Sequence, residues 1–317
     1  MAALIVLTSI SVLSLFSLGC VAALSLNYYD KTCPNVESSI SNSVKSAATK
    51  DRTVIPALLR MHFHDCFIRG CDGSILLDSE GTNKAEKDAA PNGSLHAFFV
   101  IDGAKKELEA QCPGVVSCAD ILAVAARDAV VLAGGPTWEV PKGRKDGRIS
   151  RASETAGLPS PSFNISQLQQ SFALRGLSTD DLAALLGAHT LGFAHCSSFE
   201  GRLRNFDSTH DVDPSMRPSF AARLREICPL KGRPRSAGAT MDPSPMTFDN
   251  TYYRVVLQGK GLFSIDQALL THPKTKTLVT RFAASHNAFV DAFVRSIVKL
   301  SSITGGQEVR RNCRVVN

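Results

Sequence analysis

Charge is scarce in this chain. Charged residues fill 20% of its 317 positions and hydrophobic ones 44%, which excludes the polar, highly charged composition of a disordered protein. The 22 glycines and 15 prolines follow no period, so collagen-like and low-complexity classes are excluded as well. Alternating strand-like runs are rare, which makes the expected class mainly α. There is no internal repeat and no break that would divide the chain into independent domains. No charged side chain precedes Asp30, and after that opening no segment is long and apolar enough to cross a bilayer. Nor is there an aromatic-basic module of the kind that binds nucleic acid.

What is present begins with an apolar opening, MAALIVLTSISVLSLFSLGCVAALSLNYYDK. Its small residues Val21-Ala22-Ala23 fit a signal-peptidase site, so residues 1–23 read as a secretory signal and 24–317 as the mature chain. The rival is an uncleaved membrane anchor, for which Ser9, Ser11, Ser14 and Ser17 make a poor span. Cys20 leaves with the signal, and eight of the nine cysteines remain: Cys33, Cys66, Cys71, Cys112, Cys118, Cys196, Cys228 and Cys313. An even number in a secreted chain implies four disulfides, whose pairing the count does not choose. The net charge of +6 has one small cluster at Lys231, Arg233 and Arg235. It reads as a mildly basic soluble surface, with retention on acidic extracellular polymers the alternative.

Helical spacing dominates. Ile55, Leu58, Leu59, His62, Phe63 and Cys66 share one helix face. Ser117 with Asp120, and Ser178 with Asp181, are capping-box signals. The first opens a helix that stops at Gly134-Gly135-Pro136; the second opens a face of Leu182, Leu185, Leu186 and His189. Phe289, Val290, Phe293, Val294, Ile297 and Val298 predict a late amphipathic helix, and 140–164 and 230–248 read as connections.

Chemistry concentrates at residues 59–74. Arg60 and His64 stand four apart on one helix face with Phe63 beside them. An Arg and a His on an apolar stripe need a purpose or partners, although a satisfied core His with a rim Arg is the bland alternative. The spacing from Cys66 to Cys71 with a flanking His also suits zinc, but secretion favours a short disulfide. Asp65, Asp72 and Ser74 around the Gly70 turn offer the hard oxygens that calcium selects, and are equally ordinary turn residues. His189, alone, reads as core or as a ligand.

Taken together, the motifs carry a resemblance. The chain resembles the secretory plant (class III) haem peroxidases over its whole mature length. The match runs through YYDKTCP at 28–34, LLRMHFHDCFIRGCDGSILLD at 58–78 and CPGVVSCADILAVAARD at 112–128. It continues in GRKDGR at 143–148, DLAALLGAHTLGFAHC at 181–196, FDNTYY at 248–253 and RRNCRVVN at 310–317. The resemblance implies the plant haem-peroxidase fold, with haem b held between distal and proximal helical halves. It implies peroxide-dependent oxidation of small phenols, in wall or lignin polymerisation and peroxide removal, by a secreted monomer of the cell wall rather than the vacuole.

It also implies roles. His189 would be the axial haem ligand, with Asp266 accepting its other ring N–H. His64 would be the general base that takes a proton from hydrogen peroxide and returns it to the departing oxygen. Asn92 would orient His64 and connect through Glu86 towards a calcium loop, Arg60 would stabilise developing charge, and Phe63 would limit access. Phenols would dock near Pro159. A distal calcium would take Asp65, Asp72 and Ser74 with the Ile68 and Gly70 carbonyls; a proximal one would take Thr190, Asp242, Ser244 and Asp249. The implied disulfides are Cys33–Cys112, Cys66–Cys71, Cys118–Cys313 and Cys196–Cys228. Two departures stand out: the stretch from Asp242 to Asp249 is one residue short with Ser244 where Thr is common, and His96-Ala97-Phe98 replaces Arg-Gly-Phe. Of the two sequons, Asn164 is the expected glycosylation site, and Asn92, in its distal role, is expected to stay bare.

Overall fold

A computed structural model describes residues 23–317. The signal reading of 1–23, with Cys20, lies outside the described residues except for Ala23. Among those described, eleven α-helices carry the fold: α1 Val36–Lys50, α2 Val54–Arg69, α3 Phe98–Gln111, α4 Cys118–Leu132, α5 Ile165–Ala173, α6 Thr179–Leu185, α7 Pro218–Ile227, α8 Thr251–Leu257, α9 Ser264–Ala268, α10 Pro273–Ala284 and α11 His286–Ser301. The only regular sheet among them is an antiparallel pair, β1 Phe193–His195 with β2 Gly238–Thr240, aligning Ala194 with Ala239. The mainly helical expectation holds, and no described helix is long and apolar enough to cross a membrane.

Helices α2 and α4 form the central contact. Ala119, Ala123, Ala125, Ala126 and Ala129 are all buried on α4, and these small side chains let a neighbouring helix approach closely. Asp120 is buried in the same helix, where it pairs with Arg144 at 2.8 Å and accepts the Tyr29 hydroxyl at 2.7 Å. Removing one partner of such a pair would cost about 3–5 kcal/mol, because the other charge stays buried. That pairing also changes the expected cap: Ser117 Oγ accepts the Asp120 N–H at 3.2 Å, but the Asp120 carboxylate turns inward instead of reaching back. The Ser178–Asp181 capping box forms in full.

On the other side, α6 packs against α10 and α11, and α8 against α10. Phe248, Phe282, Phe289, Phe293 and Tyr253 interlock there with ring centroids 4.8–6.2 Å apart. Burying each of these rings contributes roughly 1.5–3 kcal/mol. The helical face leading to His189 does not run through as one α-helix. It tightens after Leu185 into a 3-10 turn over Leu186–Thr190, where a Cβ on Gly187 would lie 2.3 Å from the Phe289 ring. Four disulfides staple the chain: Cys33–Cys112, Cys66–Cys71, Cys118–Cys313 and Cys196–Cys228.

Candidate active site

Between α2 and the His189 turn lies a cavity of about 850 Å³. Arg60, Phe63 and His64 line one wall because they project from the same stretch of α2, and His189 lines it from the turn after α6. Apolar residues such as Leu158, Phe172, Leu186 and Ile265 make up much of the rest, and Pro159 stands among them.

His64 Nδ1 lies 2.5 Å from Asn92 Oδ1. An amide oxygen only accepts, so Nδ1 carries the proton and Nε2 keeps a free lone pair. Burial, then the Arg60 charge, push the imidazole down to about 3 against the opposing Asn92 bond, so it is neutral near pH 7. Asn92, itself buried, donates from Nδ2 to the Glu86 backbone carbonyl at 2.8 Å. The link to Glu86 is thus made by main chain, not by carboxylate. Arg60 is held by Ser94 Oγ at 3.0 Å and the Pro91 carbonyl at 2.8 Å. Enclosure lowers its pKa to about 10, which leaves it charged.

On the opposite side, His189 Nδ1 lies 2.8 Å from Asp266 Oδ1. Asp266 is fully buried, and its Oδ2 accepts the Phe263 N–H at 2.7 Å, in the first turn of α9. With Nδ1 engaged by a carboxylate, Nε2 is the nitrogen of His189 free to act as a ligand.

A family model described as Peroxidase matches residues 40–285. The chain is 63% identical over 297 residues to Peroxidase 64 of Arabidopsis thaliana, covering 93% of this chain and 94% of that protein. It belongs to the peroxidase family. Two further relatives are Peroxidase 66 of the same plant, 54% identical over 301 residues with 93% of each covered, and Peroxidase 5 of Vitis vinifera, 46% identical over 303 residues with 93% and 92% covered. This peroxidase is therefore a haem enzyme that consumes hydrogen peroxide and oxidises donor substrates. Its fold is the mainly helical one with four disulfides, which fit a secreted chain. The cavity suits haem: a wide, largely apolar slot with one imidazole lone pair free on each side.

Two clusters of oxygen donors flank the peroxidase cavity. In the first, Asp65 and Asp72 are buried beyond the Cα turn at Gly70, whose φ is +86° and whose Cβ, if it had one, would lie 2.9 Å from the Ile303 carbonyl. Asp65 Oδ2 accepts the Gly73 N–H at 2.9 Å, and Asp72 Oδ1 accepts the Ser74 N–H at 2.9 Å. Ser74 Oγ is buried with no hydrogen-bond partner among the described residues, as are both Glu86 carboxylate oxygens. Burial and the Asp72 charge push Asp65 well up and Glu86 to about 8. Ile68 lies in the last turn of α2. Buried carboxylates that repel one another beside an unpartnered hydroxyl are the setting in which a hard dication is favourable.

In the second cluster, Thr190 Oγ1 donates to Asp242 Oδ2 at 2.7 Å and lies 3.3 Å from Asp249 Oδ1. Ser244 N–H and Oγ both reach Asp242 Oδ1, at 2.7 and 3.2 Å. The shortened loop still brings Thr190, Asp242, Ser244 and Asp249 together. The zinc alternative does fail: Cys66 and Cys71 are bridged, and His62 Nε2 lies 2.7 Å from Ser301 Oγ.

Asn164 is exposed and caps α5 through Oδ1, which accepts the Gln167 N–H at 3.0 Å. Two contacts had no separate sequence signal: Ser94 on Arg60, and Tyr252 on Asp266 at 3.1 Å. Tyr252 stands in the FDNTYY motif, which carries the resemblance without stating a role for it.

Proposed function

We propose that this peroxidase, acting as one haem-binding unit over residues 24–317, uses His189 as the iron ligand and His64 as its acid–base group. The observation that carries this reading is the pairing of His64 Nδ1 with Asn92 Oδ1, which leaves a neutral Nε2 on the cavity wall. Bound haem supplies the electron transfer. His64 Nε2 takes a proton from one oxygen of hydrogen peroxide and delivers it to the other, so that the departing fragment leaves as water rather than hydroxide. Arg60, held by Ser94 and the Pro91 carbonyl, keeps its guanidinium fixed where negative charge develops during cleavage. Phe63 stacks on Phe67 at 4.9 Å and narrows the approach from that wall.

The donors are small phenols that reach the cavity beside Pro159. Calcium occupies the Asp65–Asp72–Ser74 cluster, with the Ile68 and Gly70 carbonyls, and the Thr190–Asp242–Ser244–Asp249 cluster. The mature monomer works outside the cell in wall phenolic or lignin polymerisation, with Asn164 glycosylated. Lys231 and Arg235 are exposed and unpaired among the described residues, while Arg233 pairs with Glu200; the two unpaired cations support weak retention on acidic wall polysaccharide.

The test is a holoenzyme series. His64→Leu keeps its Soret band but loses about 10²–10⁴-fold in the reaction with hydrogen peroxide. His189→Ala loses haem retention. A His64→Leu protein that reacts at the wild-type rate would remove His64 from the mechanism. Turnover of guaiacol, coniferyl alcohol and a non-phenolic donor then separates the donor class, and equal turnover of the non-phenolic compound would count against phenols.

A further inference from the structure

Asp266 receives more hydrogen bonds than His189 alone requires. Its Oδ1 is shared: His189 Nδ1–H approaches it at 2.8 Å and the Tyr252 hydroxyl at 3.1 Å. Its Oδ2 takes the Phe263 N–H at 2.7 Å. Asp266 and Tyr252 are both buried, and no Lys or Arg pairs with this carboxylate among the described residues. A carboxylate in such a place distributes its negative charge among the donors it has, and each added donor weakens its pull on the others. Tyr252 therefore competes directly with His189 for the electron density of one oxygen atom.

The ring geometry makes Tyr252 a fixed competitor. Its ring meets the His189 ring edge-on, with centroids 5.9 Å apart and planes at 87°. Phe263 meets His189 in the same way, at 5.4 Å and 78°, so the imidazole is flanked by both rings while its Nδ1 faces the shared oxygen. Tyr252 lies in the first turn of α8, which starts where the Thr251 N–H donates to Asp249 Oδ1 at 2.7 Å. Its position is thus set by backbone rather than by a flexible loop.

We infer that Tyr252 is a positioning residue that sets how strongly His189 donates electrons, by taking part of the Asp266 carboxylate for itself. The inference rests on the reading of His189 as the iron ligand. With the hydroxyl present, Asp266 draws less on the His189 N–H, and the imidazole stays closer to neutral. Without it, Oδ1 becomes a stronger acceptor, the imidazole gains imidazolate character, and ferric iron is favoured over ferrous.

The experiment uses the full-length holoenzyme, its ferric/ferrous midpoint potential and the iron–histidine stretching band of its ferrous form. In the wild type the band must be present, and His189→Ala must abolish it; failure there strikes the ligand assignment, not this inference. Tyr252→Phe is expected to move the potential to more negative values and the band to higher frequency. Tyr253→Phe is the control, since its hydroxyl donates to the Ala183 and Ala184 carbonyls at 2.8 and 3.3 Å and does not touch Asp266. It deletes a comparable buried hydrogen bond and is expected to leave both readouts at wild-type values. Replacing Tyr252 by 3-fluorotyrosine keeps the packing and strengthens the donor, so both readouts shift in the opposite sense to Tyr252→Phe. The inference is overturned if Tyr252→Phe leaves both readouts unchanged, or if Tyr253→Phe moves them equally. Should Tyr252→Phe not retain haem, an unshifted 3-fluorotyrosine protein overturns it alone.

Discussion

Asn92 Oδ1 sits 2.5 Å from His64 Nδ1, and this contact decides which imidazole nitrogen is basic. Asn92 lies 28 residues from His64, in a 3-10 turn over Ala90–Asn92, and is aimed by its own bond to the Glu86 carbonyl. Asn92→Val is therefore expected to lower the rate of the peroxide reaction by about 10–100-fold, the usual effect of losing a residue that orients a working group. Stopped-flow mixing of the haem-loaded variant with hydrogen peroxide measures it. A wild-type rate would mean that α2 alone orients His64.

The acid limit of activity follows from the same imidazole. Burial and the Arg60 charge lower its pKa from 6.5 to about 3, so the free base persists far below the range where an exposed His would be protonated. The peroxide reaction is expected to hold its rate from pH 8 down to about pH 5 and to fall only in stronger acid. In the unfolded chain His64 takes up its proton near its ordinary value. Between pH 6.5 and about 3 the unfolded state therefore binds more protons at this residue, and its contribution to stability is lost as pH falls through that window. A rate that halves near pH 6.5 would contradict the assigned environment.

Calcium removal is expected to act through Asp65 and Glu86. Without a cation, burial and mutual repulsion push Asp65 up and Glu86 to about 8, so chelation near pH 7 should draw protons from solution. It should also lower the melting temperature, since a ligand held at 100 times its dissociation constant stabilises by about 2.7 kcal/mol. Restored calcium should reverse both effects. Proton uptake is read by a pH indicator during chelator addition, after subtracting the protons that the chelator itself releases on binding the same amount of calcium; none, with calcium loss verified by elemental analysis, would dissociate these carboxylates from the metal.

The Cys118–Cys313 bridge closes the longest loop of the four, its ends 195 positions apart in sequence. Cys118 opens α4, and its N–H donates to Asp146 at 3.1 Å; that carboxylate also takes the Arg310 N–H at 2.8 Å. Replacing both cysteines by Ala is expected to cost about 5 kcal/mol on the loop-entropy account, measured by denaturant unfolding. The short Cys66–Cys71 loop should cost less than half as much. The reverse order would show that the hydrogen bonds of Asp146, not the covalent link, hold the C-terminus.

The sequence reaches furthest where the encoding is local. Four residues of spacing put Arg60 and His64 on one face of α2, and Ser178 with Asp181 starts α6 as a capping box should. The same logic fails at Ser117–Asp120. There the carboxylate has a better partner in Arg144, 24 residues away, than in its own helix terminus. It fails again at His189, where the chain leaves α-helical geometry for a 3-10 turn in which Gly187 packs closely against Phe289.

Helical spacing and cysteine number alone were enough to predict a helix-rich, disulfide-bonded chain, because they are read along the chain without its three-dimensional contacts; the peroxidase reading came from the resemblance of its motifs to that family. Tertiary structure alone decided the proton on His64, the hold of Ser94 on Arg60, and the sharing of Asp266 between His189 and Tyr252. Each depends on two side chains from distant segments meeting within hydrogen-bond distance in a buried place, and no local spacing encodes that distance.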